Sequence, residues 1–109
     1  MKGIHMDNVK IEFTRGDTFK RKIKLYKNSE EFIPSEGDTI RFSAKKSYTD
    51  TRVAIEKDVP IDTMVFELTP EDTKLLKYGV YVFEFELTTA EGEVYTFIKG
   101  RMTLTPEVQ

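Results

Sequence analysis

The sequence predicts an all-β fold, an antiparallel β-sandwich of about seven strands with one short helical turn over residues 70–77. Three observations predict it. Apolar and polar residues alternate with period two through most of the chain, turn residues recur at short intervals, and one stretch opens with helix-start chemistry but has room for about two turns.

The elements follow in order. Val9-Lys10-Ile11-Glu12-Phe13 alternates as a half-buried strand does, and Thr14-Arg15-Gly16-Asp17 turns the chain. Phe19, Arg21, Ile23 and Leu25 then share one face, with Lys20, Lys22, Lys24 and Tyr26 on the other. Asn28-Ser29-Glu30-Glu31 breaks that pattern, Phe32-Ile33-Pro34 reads as a short edge piece, and Glu36-Gly37-Asp38 is a turn. Ile40, Phe42 and Ala44 alternate with Arg41, Ser43 and Lys45, the polar run Lys46–Thr51 is a loop, and Val53 and Ile55 open a short strand before Pro60. Met64, Phe66 and Leu68 form the next apolar face. There the period changes: Thr69 is placed as N-cap, Pro70 at the first helical position, and Glu71 and Asp72 complement the positive helix end, with Gly79 as the stop. Tyr81, Phe83, Phe85 and Leu87 give the clearest strand. After a hairpin at Thr89-Ala90-Glu91-Gly92, the return strand carries Val94, Thr96, Ile98, Gly100, Met102 and Leu104 on one face and Tyr95 and Phe97 on the other, with Gly100 as a bulge candidate.

Composition narrows the chemistry. The chain has 109 residues, one His, no Cys and no Trp, which excludes thiolate zinc sites and thiol nucleophiles and leaves His-based acid–base catalysis almost without material. The length suits a single domain over 6–109, with 1–5 read as a cloning remnant that contains the one His. There is no apolar stretch long enough for a signal h-region or a membrane span, so the expectation is a product without secretion signal or membrane partner. With 17 Lys+Arg against 19 Asp+Glu, the formal net charge of −2 predicts no global attraction to polyanions.

Leu68-Thr69-Pro70-Glu71-Asp72-Thr73, followed by Leu76, Tyr78-Gly79-Val80-Tyr81 and Phe83-Glu84-Phe85-Glu86-Leu87, resembles the immunoglobulin-like domains of tailed-phage and prophage structural proteins, including those that begin phage baseplate upper proteins. Gly92–Gly100 and Met102–Val108 look like the final hairpin of the same group, and Arg15–Thr18 and Glu36–Phe42 like its first turns. The resemblance implies an immunoglobulin-like sandwich, no enzymatic activity, and no cofactor. It also implies a place in a virion tail, baseplate or neck, assembled in the bacterial host cytoplasm and joined to other virion proteins or to further copies of itself. Within such a sandwich Tyr81 is placed as a tyrosine corner, its hydroxyl bonding back to the preceding turn, with Tyr78 the competing candidate.

Several motifs have a functional and a plain reading. Arg15-Gly16-Asp17 spells an adhesion tripeptide but is also ordinary turn chemistry. Lys20, Lys22 and Lys24, with Tyr26, have the look of a nucleic-acid strand, yet Lys rows also protect sheet edges from aggregation. Glu84 and Glu86 lie on one strand face; a cross-strand pairing with the Lys row is a better reading than catalysis or calcium binding. Tyr95 and Phe97 are either the apolar centre of a partner interface or covered core. The sequence reading is therefore a non-catalytic virion structural or adaptor module, with Tyr95, Phe97, Lys20, Lys22 and Lys24 as interface candidates and no catalytic, cofactor or metal residues. The alternative is a β-module binding single-stranded nucleic acid or carbohydrate through Lys20–Tyr26, although nucleic acid is a disfavoured partner.

Overall fold

The structure, a computed structural model, describes residues 10–108. Val9 and the segment read as a cloning remnant lie outside the described residues. Among the described residues the chain is a β-sandwich of nine strands, several of them short, and one turn of helix: β1 (Ile11–Thr14), β2 (Phe19–Lys22), β3 (Leu25–Lys27), β4 (Glu30–Phe32), β5 (Thr39–Lys45), β6 (Ile55–Val59), β7 (Val65–Leu68), α1 (Pro70–Thr73), β8 (Gly79–Thr88) and β9 (Val94–Thr105). No described helix is long and apolar enough to cross a membrane.

The larger layer is a five-stranded sheet in the order β1-β9-β8-β5-β6. Opposite it lie the pair β2-β7 and the hairpin β3-β4. The period-two alternation explains the layer arrangement: Tyr81, Phe83, Phe85 and Leu87 of β8 and Ile40, Phe42 and Ala44 of β5 are all buried, while their neighbours along each strand face outward. Phe66 of β7 closes the core from the facing layer, with ring centroids 4.5 Å from Phe42 and 5.1 Å from Phe85. Phe19 continues the aromatic cluster at 6.1 Å from Phe66 and 5.0 Å from Phe13. Edge-to-face and offset rings at these spacings add specific attraction to the area they bury.

The structure departs from the sequence reading in its pairings and at several element ends, Val53 among them, which lies outside β6 and is exposed. β1 pairs parallel with β9, from Ile11 opposite Met102 to Thr14 opposite Thr105, because the first turn carries the chain from one layer to the other. The apolar row Phe19–Leu25 is interrupted at Ile23, whose N–H donates across to the Met64 carbonyl at 2.8 Å, so β2 and β3 belong to separate pairs. The helix stops at Thr73, since Lys74–Leu76 continue as turns and not as a second helical turn. The bulge falls at Phe97 and not at Gly100: Phe85 faces Ile98 while Glu86 faces Thr96, leaving Phe97 as the extra residue. That extra residue resets the phase of β9. Phe97 and Ile98 both turn inward, Val94 and Thr96 stay exposed, and Tyr95 is half-buried against the core.

The β3-β4 turn is a further departure. Asn28 and Ser29 both have positive φ, +53° and +70°, which is the two-residue mirror-image turn whose twist suits a hairpin, usually built from Asn and Gly.

Candidate functional site

The connection from β7 to β8 is held by polar side chains. The Asp72 carboxylate reaches back to the N-terminal end of α1, where Oδ2 accepts from the Thr69 N–H at 2.7 Å and the Thr69 hydroxyl at 3.0 Å. Lys57, half-buried on the inward side of the edge strand β6, pairs with the same oxygen at 2.9 Å. Burial pushes the Asp72 pKa up, but the bonds from Thr69 and Lys57 together outweigh it and hold the carboxyl below its ordinary value. The fully buried Thr73 hydroxyl accepts from the Gly16 N–H at 2.9 Å, which ties α1 to the first turn.

The tyrosine-corner role falls to Tyr81. Its hydroxyl donates to the Lys77 carbonyl at 2.8 Å while the ring is 2% exposed. Tyr78 joins a different device. The Arg15 guanidinium binds the Glu107 carboxylate through Nε at 2.9 Å and Nη2 at 3.3 Å, the Leu76 carbonyl at 2.9 Å and the Tyr78 hydroxyl at 3.0 Å. Tyr78 in turn donates to Glu107 at 3.2 Å. One arginine thus ties the first turn, the helix exit and the C-terminal segment together. The hydrogen bond from Arg15 is the main reason the Glu107 carboxyl sits below its ordinary pKa. With its guanidinium engaged here, Arg15 acts in the fold and the tripeptide Arg15-Gly16-Asp17 is turn chemistry.

The interface candidates separate. Phe97 is 4% exposed, with its ring 5.8 Å from that of Phe85, so it is core; Tyr95 packs partly on the same cluster. These two do not form an outer apolar patch, because the bulge turns them inward. Lys20, Lys22 and Lys24 are exposed as expected. Lys20 lies across from Glu67, with charges 3.9 Å apart, and Glu31 lies across from Tyr26, so the strand is mixed in charge. Glu84 and Glu86 do not meet the Lys row at all. They sit on the outer face of the five-stranded sheet, Glu84 between Ser43 and Lys99, Glu86 between Arg41 and Thr96. Arg41 is instead turned to Glu56 and Asp58 on β6, at 3.7 and 3.2 Å.

The outer face holds the feature that sequence reasoning missed. Register aligns Lys45, Val82 and Arg101 in one row across β5, β8 and β9, and Ser43, Glu84 and Lys99 in the next. The β5-β6 loop folds beside them. A turn closed by the Asp50 N–H on the Ser47 carbonyl, 3.1 Å, presents Tyr48, with Lys99 Nζ 5.8 Å from its ring centre. Tyr48, Val53, Val82, Ser43, Lys45 and Glu84 line a shallow cleft of about 260 Å³. A tyrosine standing alone in a polar loop was the available signal; the cation row is invisible until strand order is known.

Among the described residues no group of three or more His, Cys, Asp and Glu side chains is placed to hold a metal ion. Compared with known proteins, the chain matches no family model and no curated sequence. It does resemble a solved structure, "The crystal structure of CopC from Methylosinus trichosporium OB3b", with a TM-score of 0.50 and 16% identity over 94% of this chain and 89% of that one. The likeness is one of fold. It agrees with the β-sandwich built above from alternation and register.

Proposed function

We propose that the chain is a non-catalytic structural or adaptor module of a phage or prophage virion, in its tail, baseplate or neck, acting through protein–protein contacts. The observation that carries this reading is where the motif residues act. In the segments that resemble tailed-phage domains, Asp72 caps α1, Thr73 ties it to the first turn, Tyr81 makes the corner and Tyr78 joins the Arg15 clamp. Residues spent on rigidity make a scaffold, and a rigid scaffold leaves recognition to its outward side chains. The mixed charge around Lys20 weakens the alternative of a polyanion-binding strand.

The test is co-expression of the chain with the products of the genes flanking its own, followed by light scattering of each purified pair. A complex of fixed stoichiometry with a tail, baseplate or neck protein is the expected result. A chain that stays monomeric beside every such product overturns the reading.

A further inference from the structure

We infer that the Tyr48 cleft on the outer face of the five-stranded sheet is the docking surface, and that its partner is an extended protein segment carrying two acidic side chains around an apolar or aromatic one. The inference rests on the protein-contact reading above and names the face and the chemistry of its partner.

Charge complementarity carries it. Lys45, Lys99 and Arg101 project from the outer face, and none of them has a carboxylate within 4 Å among the described residues; the outer-face ion pairs of this sheet are made by Arg41, at the other end, and by Lys10 with Glu12 along β1. Between the cations lies apolar surface: Val82 in the middle of the Lys45–Val82–Arg101 row, with Val53 and Tyr48 beside it, 43% and 59% exposed. An aromatic ring and valines flanked by unpaired cations suit an apolar side chain between carboxylates.

Spacing sets the pattern. Lys45 and Arg101 stand two strands apart, about 10 Å at the usual strand separation. In an extended peptide only alternate residues share a face, so Glu-Ser-Phe-Ser-Glu turns both carboxylates and the ring between them onto the sheet, with the carboxylates about 13 Å apart, within reach of the long Lys45 and Arg101 side chains, and the ring over Val82 and Tyr48. Glu84 decides between partner classes. It lines the cleft beside Lys99, where it repels a continuous phosphate backbone but leaves a protein segment free to place its charges on either side.

The experiment titrates the isotope-labelled full chain with the peptide acetyl-Gly-Ser-Glu-Ser-Phe-Ser-Glu-Ser-Gly-amide, with the same peptide carrying Lys for both Glu, and with a twelve-nucleotide oligothymidylate. Amide shifts at Ser43, Lys45, Tyr48, Val53, Val82 and Lys99 with the acidic peptide are expected. So is an affinity at least 10-fold weaker for the Lys peptide, for Tyr48→Ala, and for the double variant Lys45→Glu with Arg101→Glu. Unchanged melting temperatures would show that these surface variants fold. Shifts confined to another face, equal binding of the Lys peptide, or no shift at millimolar peptide overturn the inference; tighter binding of oligothymidylate at the cleft overturns the choice of a protein partner. Repeating the co-expression with the double variant separates the two readings. A virion-protein complex that survives it overturns this face and leaves the adaptor reading standing.

Discussion

Tyr81→Phe isolates the tyrosine corner. The ring is 2% exposed and stays packed in the variant, so what is removed is one hydroxyl and its 2.8 Å bond to the Lys77 carbonyl. Such a bond contributes a net ~0.5–1.5 kcal/mol. Lys77 itself is exposed, which lets water reach the freed carbonyl, so the expected cost is about 1 kcal/mol, or a fall in Tm of roughly 4 °C for a domain near this size. Urea denaturation followed by far-UV circular dichroism measures it, with an unchanged m-value. Tyr78→Phe is the control: that hydroxyl belongs to a side chain 44% exposed, and its loss should cost less than about 0.5 kcal/mol. The reasoning is refuted if Tyr81→Phe costs less than about 0.3 kcal/mol or if Tyr78→Phe costs more than it does. pH adds a second check. Burial raises the Tyr81 pKa above the ordinary tyrosine value, so its contribution is complete below that ordinary value and is lost as pH rises through the folded one. The alkaline fall in stability should be shallower in Tyr81→Phe.

Phe97→Ala tests the inward turn of the bulge and should cost ~3–5 kcal/mol in a urea titration, as core Phe truncations do; a cost within 0.5 kcal/mol would mean the ring is surface. Ser29→Gly should stabilise by about 1 kcal/mol, because Ser29 holds φ +70° in a turn position that glycine adopts without strain. Gly37→Ala should destabilise by more than about 1 kcal/mol: φ is +95° and a Cβ would meet that of Ala90 at 2.7 Å. The double variant Gly37→Ala with Ala90→Gly should recover only part, since the backbone strain remains. On the acid side, Asp72 and Glu107 both have lowered pKa values, so their stabilisation is present above the ordinary carboxylate range and is lost as pH falls through the folded values. Asp72→Asn should flatten that limb in a pH series of melting temperatures.

Which parts of the fold were legible follows from what alternation can and cannot encode. β8 reads directly, since Tyr81 to Leu87 alternate without interruption and every second residue is buried. Helix-start chemistry at Thr69-Pro70-Glu71-Asp72 is local and was equally plain, but its length depended on packing beyond Thr73. The bulge at Phe97 was not legible because a single inserted residue inverts a strand's faces while leaving its composition unchanged. The same holds for the parallel pairing of β1 and for the break at Ile23, both fixed by partners far along the chain. For the cleft, Lys45, Val82 and Arg101 are separated by tens of residues and become neighbours only through the register of β5, β8 and β9.

The most direct test of the adaptor account is the copy number of this chain in gradient-purified particles, by quantitative mass spectrometry against a major tail protein. The account predicts that it sediments with the particles at a fixed ratio, and that the Lys45→Glu, Arg101→Glu double variant, folded but altered at the cleft, is lost from them. A wild-type chain found in the soluble fraction while the tail protein sediments would contradict it.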